Sequence, residues 1–130
     1  MPVQEQLAQR QCVVLVVDDD EMARSVLVSI LKLKGHEVLD VPTPLAALEI
    51  LRSRQTVDLL VTDVHMPGTV DGTGFVKMAR SIRPELKVLY ATGYADEVAE
   101  EIAVDPGARL LAKPFPLNTF ISTVSIMMRT

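Results

Sequence analysis

Val13-Val14-Leu15-Val16-Val17 runs directly into Asp18-Asp19-Asp20, and three further apolar runs end in the same way on a polar residue. They are Leu59-Leu60-Val61-Thr62 before Asp63, Val88-Leu89-Tyr90-Ala91 before Thr92, and Leu110-Leu111-Ala112 before Lys113. Short continuous apolar runs of this kind read as strands buried on both faces, the form strands take in a parallel sheet. In an open parallel sheet the ligand site lies outside the carboxyl ends of the strands, where the strand order switches. Residues far apart in sequence then converge. Here Asp18, Asp19, Asp63, Thr92 and Lys113 would bring carboxylates, a hydroxyl and an ammonium into one pocket. Such a set is equipped to hold a divalent cation and a phosphoryl group.

Between these runs the pattern is helical. Glu21 to Lys34 places Met22, Val26, Leu27, Ile30 and Leu31 on one face, with Gly35 positioned to stop the helix. Glu37 to Val41 reads as a short second strand. Pro44 to Ser53 carries Leu45, Leu48 and Leu51, with Thr43 as amino-terminal cap ahead of a first-turn proline. Met66-Pro67-Gly68-Thr69-Val70-Asp71-Gly72 is a loop by its proline and glycines, followed by a helix from about Thr73 to Arg83. Asp96 to Val104 is an acid-rich helix with few apolar anchors, expected to be the most weakly held. A last helix, Leu117 to Met128, presents Leu117, Phe120, Ile121, Val124 and Met127 or Met128 at helical spacing. Strands alternating with helices of this length predict right-handed crossovers and a flavodoxin-like, doubly wound α/β fold: a five-stranded parallel sheet in the order 2-1-3-4-5 with five helices.

At 130 residues the chain accommodates one domain, read as 12–130, preceded by a polar, glutamine-rich tail over 1–11. No apolar run approaches the roughly 18 residues of a membrane span, so membrane insertion is not expected. The amino terminus lacks the basic and apolar regions of a secretory signal, and the single Cys12 allows no internal disulfide, in keeping with a cytoplasmic location. A net charge of −4 disfavours nonspecific nucleic-acid binding and suits a cation site.

Asp18 and Asp19 follow the first strand, and Asp63 ends the strand expected beside it. Their carboxylates should meet. Like charges that close destabilise a fold unless a cation sits among them, and hard oxygen ligands with open water positions suit Mg²⁺, with Mn²⁺ as the alternative. One acid after a strand is commonly only a solvated loop residue, and Asp20 reads as the cap of the first helix. Thr92 before a glycine is by itself a turn hydroxyl, and Lys113 before a proline a surface charge. Only as an ordered set do they supply the hydroxyl donor and fixed cation that a phosphoryl group on Asp63 needs.

From Cys12 to Met128 the chain resembles the receiver domains of two-component response regulators. The matching residues are Asp18 and Asp19 in Val-Val-Asp-Asp-Asp, Asp63 in Thr-Asp-Val-His-Met-Pro-Gly, Asp71-Gly72, Thr92-Gly93 and Lys113-Pro114-Phe115. The resemblance implies that Asp63 is the phosphoacceptor, taking phosphate from a histidine kinase or histidine phosphotransfer domain. It implies Mg²⁺ held directly by Asp19, Asp63 and the backbone carbonyl of His65, with Asp18 acting largely through water. Thr92 and Lys113 would read the phosphoryl group, the Lys113–Pro114 peptide would be cis, and His65 and Tyr94 would tune hydrolysis. The function implied is a phosphorelay switch with self-catalysed phosphotransfer rather than a conventional enzyme, and dimerisation is left open.

This sequence also departs from the family pattern. Leu110 stands where the family usually has Tyr or Phe, so the switch should be muted at that strand and shifted to the loop after Thr92 and the Asp96 to Val104 helix. The loop from Pro67 to Asp71-Gly72 is one residue longer than the common form. His65 also reads as a plain surface imidazole. A haloacid dehalogenase-like phosphatase would want a further acidic motif after the lysine, but Pro114 to Thr130 contains no Asp or Glu. A flavin module would want hydroxyls and amides after the first strand, where three acids stand. A pseudo-receiver that only docks a partner is the remaining rival.

Overall fold

A computed structural model of the chain describes residues 12–65 and 72–129. The tail over 1–11 and the stretch 66–71, which includes Met66-Pro67-Gly68 and Asp71 of the loop expected there, lie outside the described residues. The elements alternate strictly: β1 (Val13–Val17), α1 (Glu21–Leu33), β2 (Glu37–Val41), α2 (Pro44–Arg52), β3 (Leu59–Thr62), α3 (Gly72–Ile82), β4 (Lys87–Thr92), α4 (Ala95–Ala103), β5 (Ala108–Ala112) and α5 (Leu117–Arg129). The strands form one parallel sheet in the order β2-β1-β3-β4-β5, as the alternation predicts.

Successive side chains of each strand face opposite sides of the sheet, and both sides are covered. Leu15 and Val17 of β1 join Ala47, Leu48 and Leu51 of α2, Phe75, Val76 and Ala79 of α3, and Val98 and Ile102 of α4. Val14 and Val16 face the other way, toward Leu27 and Leu31 of α1 and Phe120, Val124 and Met127 of α5. The acidic helix α4 is anchored by only two buried apolar residues, Val98 and Ile102. Both central strands are buried along most of their length, which explains why their sequences show apolar runs instead of alternation.

Local chemistry sets the helix ends. Asp20 Oδ1 accepts from the backbone N–H groups of Met22 and Ala23 and caps α1, and Thr43 Oγ1 accepts from Ala46 N to cap α2. Helix α1 closes with Gly35 at φ 88°. Gly35 N donates to Lys32 O and His36 N to Leu31 O, the paired bonds of a Schellman stop that a residue with a Cβ enters at a cost.

The apolar stripes of the helices are narrower than their sequences suggest. Met22, Val26, Leu45 and Leu117, expected on covered faces, are exposed. Met22, Leu45 and Leu117 lie in the first turns of α1, α2 and α5, which stand at the carboxyl edge of the sheet beyond the strand side chains that would cover them. Val26 sits one residue from Leu27, about 100° around the helix from the contact line of Leu27 and Leu31.

Candidate functional site

Because the strands are parallel and in register, their last residues deliver Asp18, Asp63, Thr92 and Lys113 to one edge of the sheet. Val17 pairs with Thr62, so Asp18 and Asp63 leave adjacent strands side by side. Thr92 pairs with Ala112 on the other flank, and Lys113 N donates to Thr92 O at 2.8 Å. The Lys113–Pro114 peptide is cis.

Lys113 is the centre of the inner site. Its Nζ donates to Asp63 Oδ2 at 3.1 Å and to Asp18 Oδ2 at 3.3 Å, while the side chains of Asp18 and Asp63 are only 5% and 13% exposed. The remaining carboxylate oxygens are also satisfied. Asp18 Oδ1 accepts from Asp20 N, and Asp63 Oδ1 accepts from Val64 N at 2.6 Å and His65 N at 3.3 Å. Burial by itself would lower the lysine pKa, but the charges of Asp18 and Asp63 and their hydrogen bonds outweigh it and hold the pKa above its ordinary value. The buried Thr92 hydroxyl accepts from Tyr94 N at 3.1 Å, and its own proton has no acceptor among the described residues.

This arrangement corrects the expectation that three carboxylates meet and repel. Asp18 and Asp63 share one ammonium, which offsets one of their two negative charges, and Asp19 is exposed. Among the described residues no three His, Cys, Asp or Glu side chains gather around a point where a metal ion would sit. The lysine, 95 and 50 residues away in sequence, bonds to both acids.

An outer rim surrounds this centre. His65 Nε2 lies 2.8 Å from Glu97 Oε2, and because a carboxylate only accepts, the imidazole donates. The same ring lies against Tyr94, with centroids 4.1 Å apart and planes tilted by 54°. Chemically the site offers a paired, partly desolvated carboxylate at Asp63, a neighbouring fixed cation, a hydroxyl donor and an exposed acid at Asp19.

Residues 14–125 match the family model of the response regulator receiver domain. The chain belongs to that family. It is 32% identical over 117 residues to the sensor kinase CckA of Brucella abortus, covering 88% of this chain but 12% of that protein. It is 31% identical over 121 residues to the response regulator receiver protein CpdR of the same organism, covering 88% of this chain and 95% of CpdR. A crystal structure of the receiver domain of the hybrid histidine kinase CckA superposes with a TM-score of 0.75 at 32% identity, over 88% of this chain and 97% of that one. The fold is therefore that of the receivers, which are signalling domains of two-component systems.

Leu110 is half-buried against the α2–α3–α4 side of the sheet and pairs directly with Tyr90 of β4. The aromatic ring at this level of the sheet comes from Tyr90, one strand over and buried. Three contacts at this edge of the sheet were not foreseen from the sequence. Glu97 engages His65, and Arg24 donates to Asp18 O at 2.6 Å and to Asp40 Oδ2 at 2.9 Å, tying the acidic turn to α1 and β2. The clue to Arg24 is local: it lies one turn past Asp20, where its side chain reaches back over the start of α1. No spacing in the sequence signals Glu97. None of the helices is long and apolar enough to cross a membrane, among the described residues.

Proposed function

We propose that this receiver takes a phosphoryl group onto Asp63 from a histidine kinase or histidine phosphotransfer domain and thereby switches its interactions with a partner. The observation that carries the reading is the Lys113 ammonium, 3.1 Å from Asp63 Oδ2 and balanced on its far side by Asp18. In the transfer an Asp63 oxygen forms a bond to phosphorus as the bond from phosphorus to the donor nitrogen breaks, with nucleophile and leaving group in line. Lys113 then exchanges its contact with the free carboxylate for one with the phosphoryl oxygens. The Thr92 hydroxyl donates its unused proton to another of them.

The donor set fits a hydrated Mg²⁺ or Mn²⁺, which is typically bound through one or two carboxylates and several waters. Asp19, exposed and without a hydrogen-bond partner among the described residues, would hold it with Asp63 and the His65 carbonyl, and Asp18 through water. When bound, the ion neutralises charge on the transferring group. Asp63→Ala should abolish labelling by acetyl phosphate or phosphoramidate in Mg²⁺, and a chelator should do the same to the parent. A mutant labelled as well as the parent overturns the assignment. A parent that no donor labels would leave a docking module in its place.

A further inference from the structure

We propose that Glu97 is a positioning residue for transfer at Asp63: it holds the His65 imidazole across the outer mouth of the site, where the ring screens the in-line approach to the acceptor oxygen. The inference rests on the reading of Asp63 as phosphoacceptor and adds to it a residue from α4.

The loops after β3 and β4 leave adjacent strands, and any group on Asp63 that Thr92 also contacts must lie between them. A chain of contacts crosses that gap. Asp63 Oδ1 accepts from His65 N, the His65 ring lies 4.1 Å from the Tyr94 ring, and Tyr94 N donates to Thr92 Oγ1. Ring contact alone leaves the imidazole free to slide, since it is half exposed. Glu97 supplies the directional part, 2.8 Å from Nε2. It is itself placed by the turn that starts α4, where Glu97 N donates to Tyr94 O, so one turn presents both the ring and the carboxylate to His65.

In-line displacement gives this cover a distinctive signature. The leaving group of an incoming donor and the water that later hydrolyses the acyl phosphate occupy the same apical position, opposite the Asp63 oxygen. A side chain over that position slows both steps together. A base activating the water would change hydrolysis alone. Because the pair is exposed, at 48% for His65 and 59% for Glu97, its hold on the rotamer is limited to a factor of about five or less.

The test measures two rates with phosphoramidate as donor and Mg²⁺ present: initial labelling, and first-order loss of the label after donor removal. Glu97→Ala should raise both by similar factors, about two- to fivefold. Glu97→Gln keeps an acceptor for Nε2–H and should stay near the parent. His65→Ala should raise both rates, and adding Glu97→Ala to it should change nothing further. Asp96→Ala removes an acid from the same first turn without touching His65, and should leave both rates near the parent. The proposal falls if Glu97→Ala leaves both rates unchanged, if only one rate moves, or if Asp96→Ala reproduces the effect. An unlabelled parent, or a labelled Asp63→Ala protein, overturns the phosphoacceptor reading and this proposal with it, whereas a labelled parent with unaltered Glu97→Ala rates overturns this proposal alone.

Discussion

Lys113, lodged between Asp18 and Asp63, and His65, lying against Tyr94 and Glu97, each bridge neighbouring strand ends of the same sheet, but in different surroundings. The carboxylates that flank Lys113 are 5% and 13% exposed, whereas His65 and Glu97 are about half in water. An ion pair in solvent is worth at most about 1 kcal/mol and is screened by salt. Stripping the cation from nearly buried carboxylates leaves two negative charges side by side, at a cost of about 1–3 kcal/mol. Under the proposed function, the inner bridge supplies a preorganised acceptor and the outer one a mouth whose opening changes at little expense.

The largest expected effect comes from removing the inner cation. Lys113→Met should lower the rate of labelling by a small phosphodonor on the order of a hundredfold, the usual consequence of losing one fixed charge or donor at a reacting oxygen. In chelator the same substitution should lower stability by about 1–3 kcal/mol, less than for a fully buried pair because Lys113 is itself 30% exposed. Urea unfolding measures the second quantity. Stability equal to or above that of the parent would mean that Asp18 and Asp63 are content without the lysine, and the contrast between the two bridges would vanish.

A somewhat smaller effect separates the bridges by pH. The Lys113 pKa is raised in the folded chain by Asp18 and Asp63 against the opposing pull of burial. Its stabilisation is therefore complete below the ordinary lysine value of about 10.5 and fades as pH climbs through the higher folded value. The stability gap between the parent and Lys113→Met should be constant near neutrality and narrow on the alkaline side. A gap that is constant to the pH of global unfolding would show that the lysine contributes by packing alone.

The same contrast separates what the sequence made legible from what it did not. Asp18, Asp63, Thr92 and Lys113 could be read because each directly follows an apolar run, and parallel pairing carries every such position to one edge. Asp20, Thr43 and Gly35 could be read because capping is settled within a few residues. The charge balance was misread, since it turns on where one lysine lands 95 residues from Asp18. The contact of His65 with Glu97 spans 32 residues, and no periodicity records it. Helix stripes were overestimated at Met22, Leu45 and Leu117 because amphipathic spacing says which residues share a face, but not where along the helix the covering sheet ends.

The smallest effect, and the one that tests the corrected view of the acids, is expected at Asp19. If three carboxylates crowded together, neutralising any of them would relieve repulsion and raise the melting temperature in chelator. The structure instead pairs Asp18 and Asp63 through Lys113 and leaves Asp19 in water, where its charge is screened and its removal frees no strained neighbour. Asp19→Asn should therefore shift the melting temperature in chelator by no more than about 2 °C, the scale of an ordinary surface substitution in a domain of this size. Added Mg²⁺ should distinguish the proteins clearly: the parent gains stability by mass action as the ion binds the folded state, and Asp19→Asn should lose most of that gain. A marked rise in chelator would restore the picture of mutually repelling acids, and an undiminished Mg²⁺ gain would remove Asp19 from the ligand set.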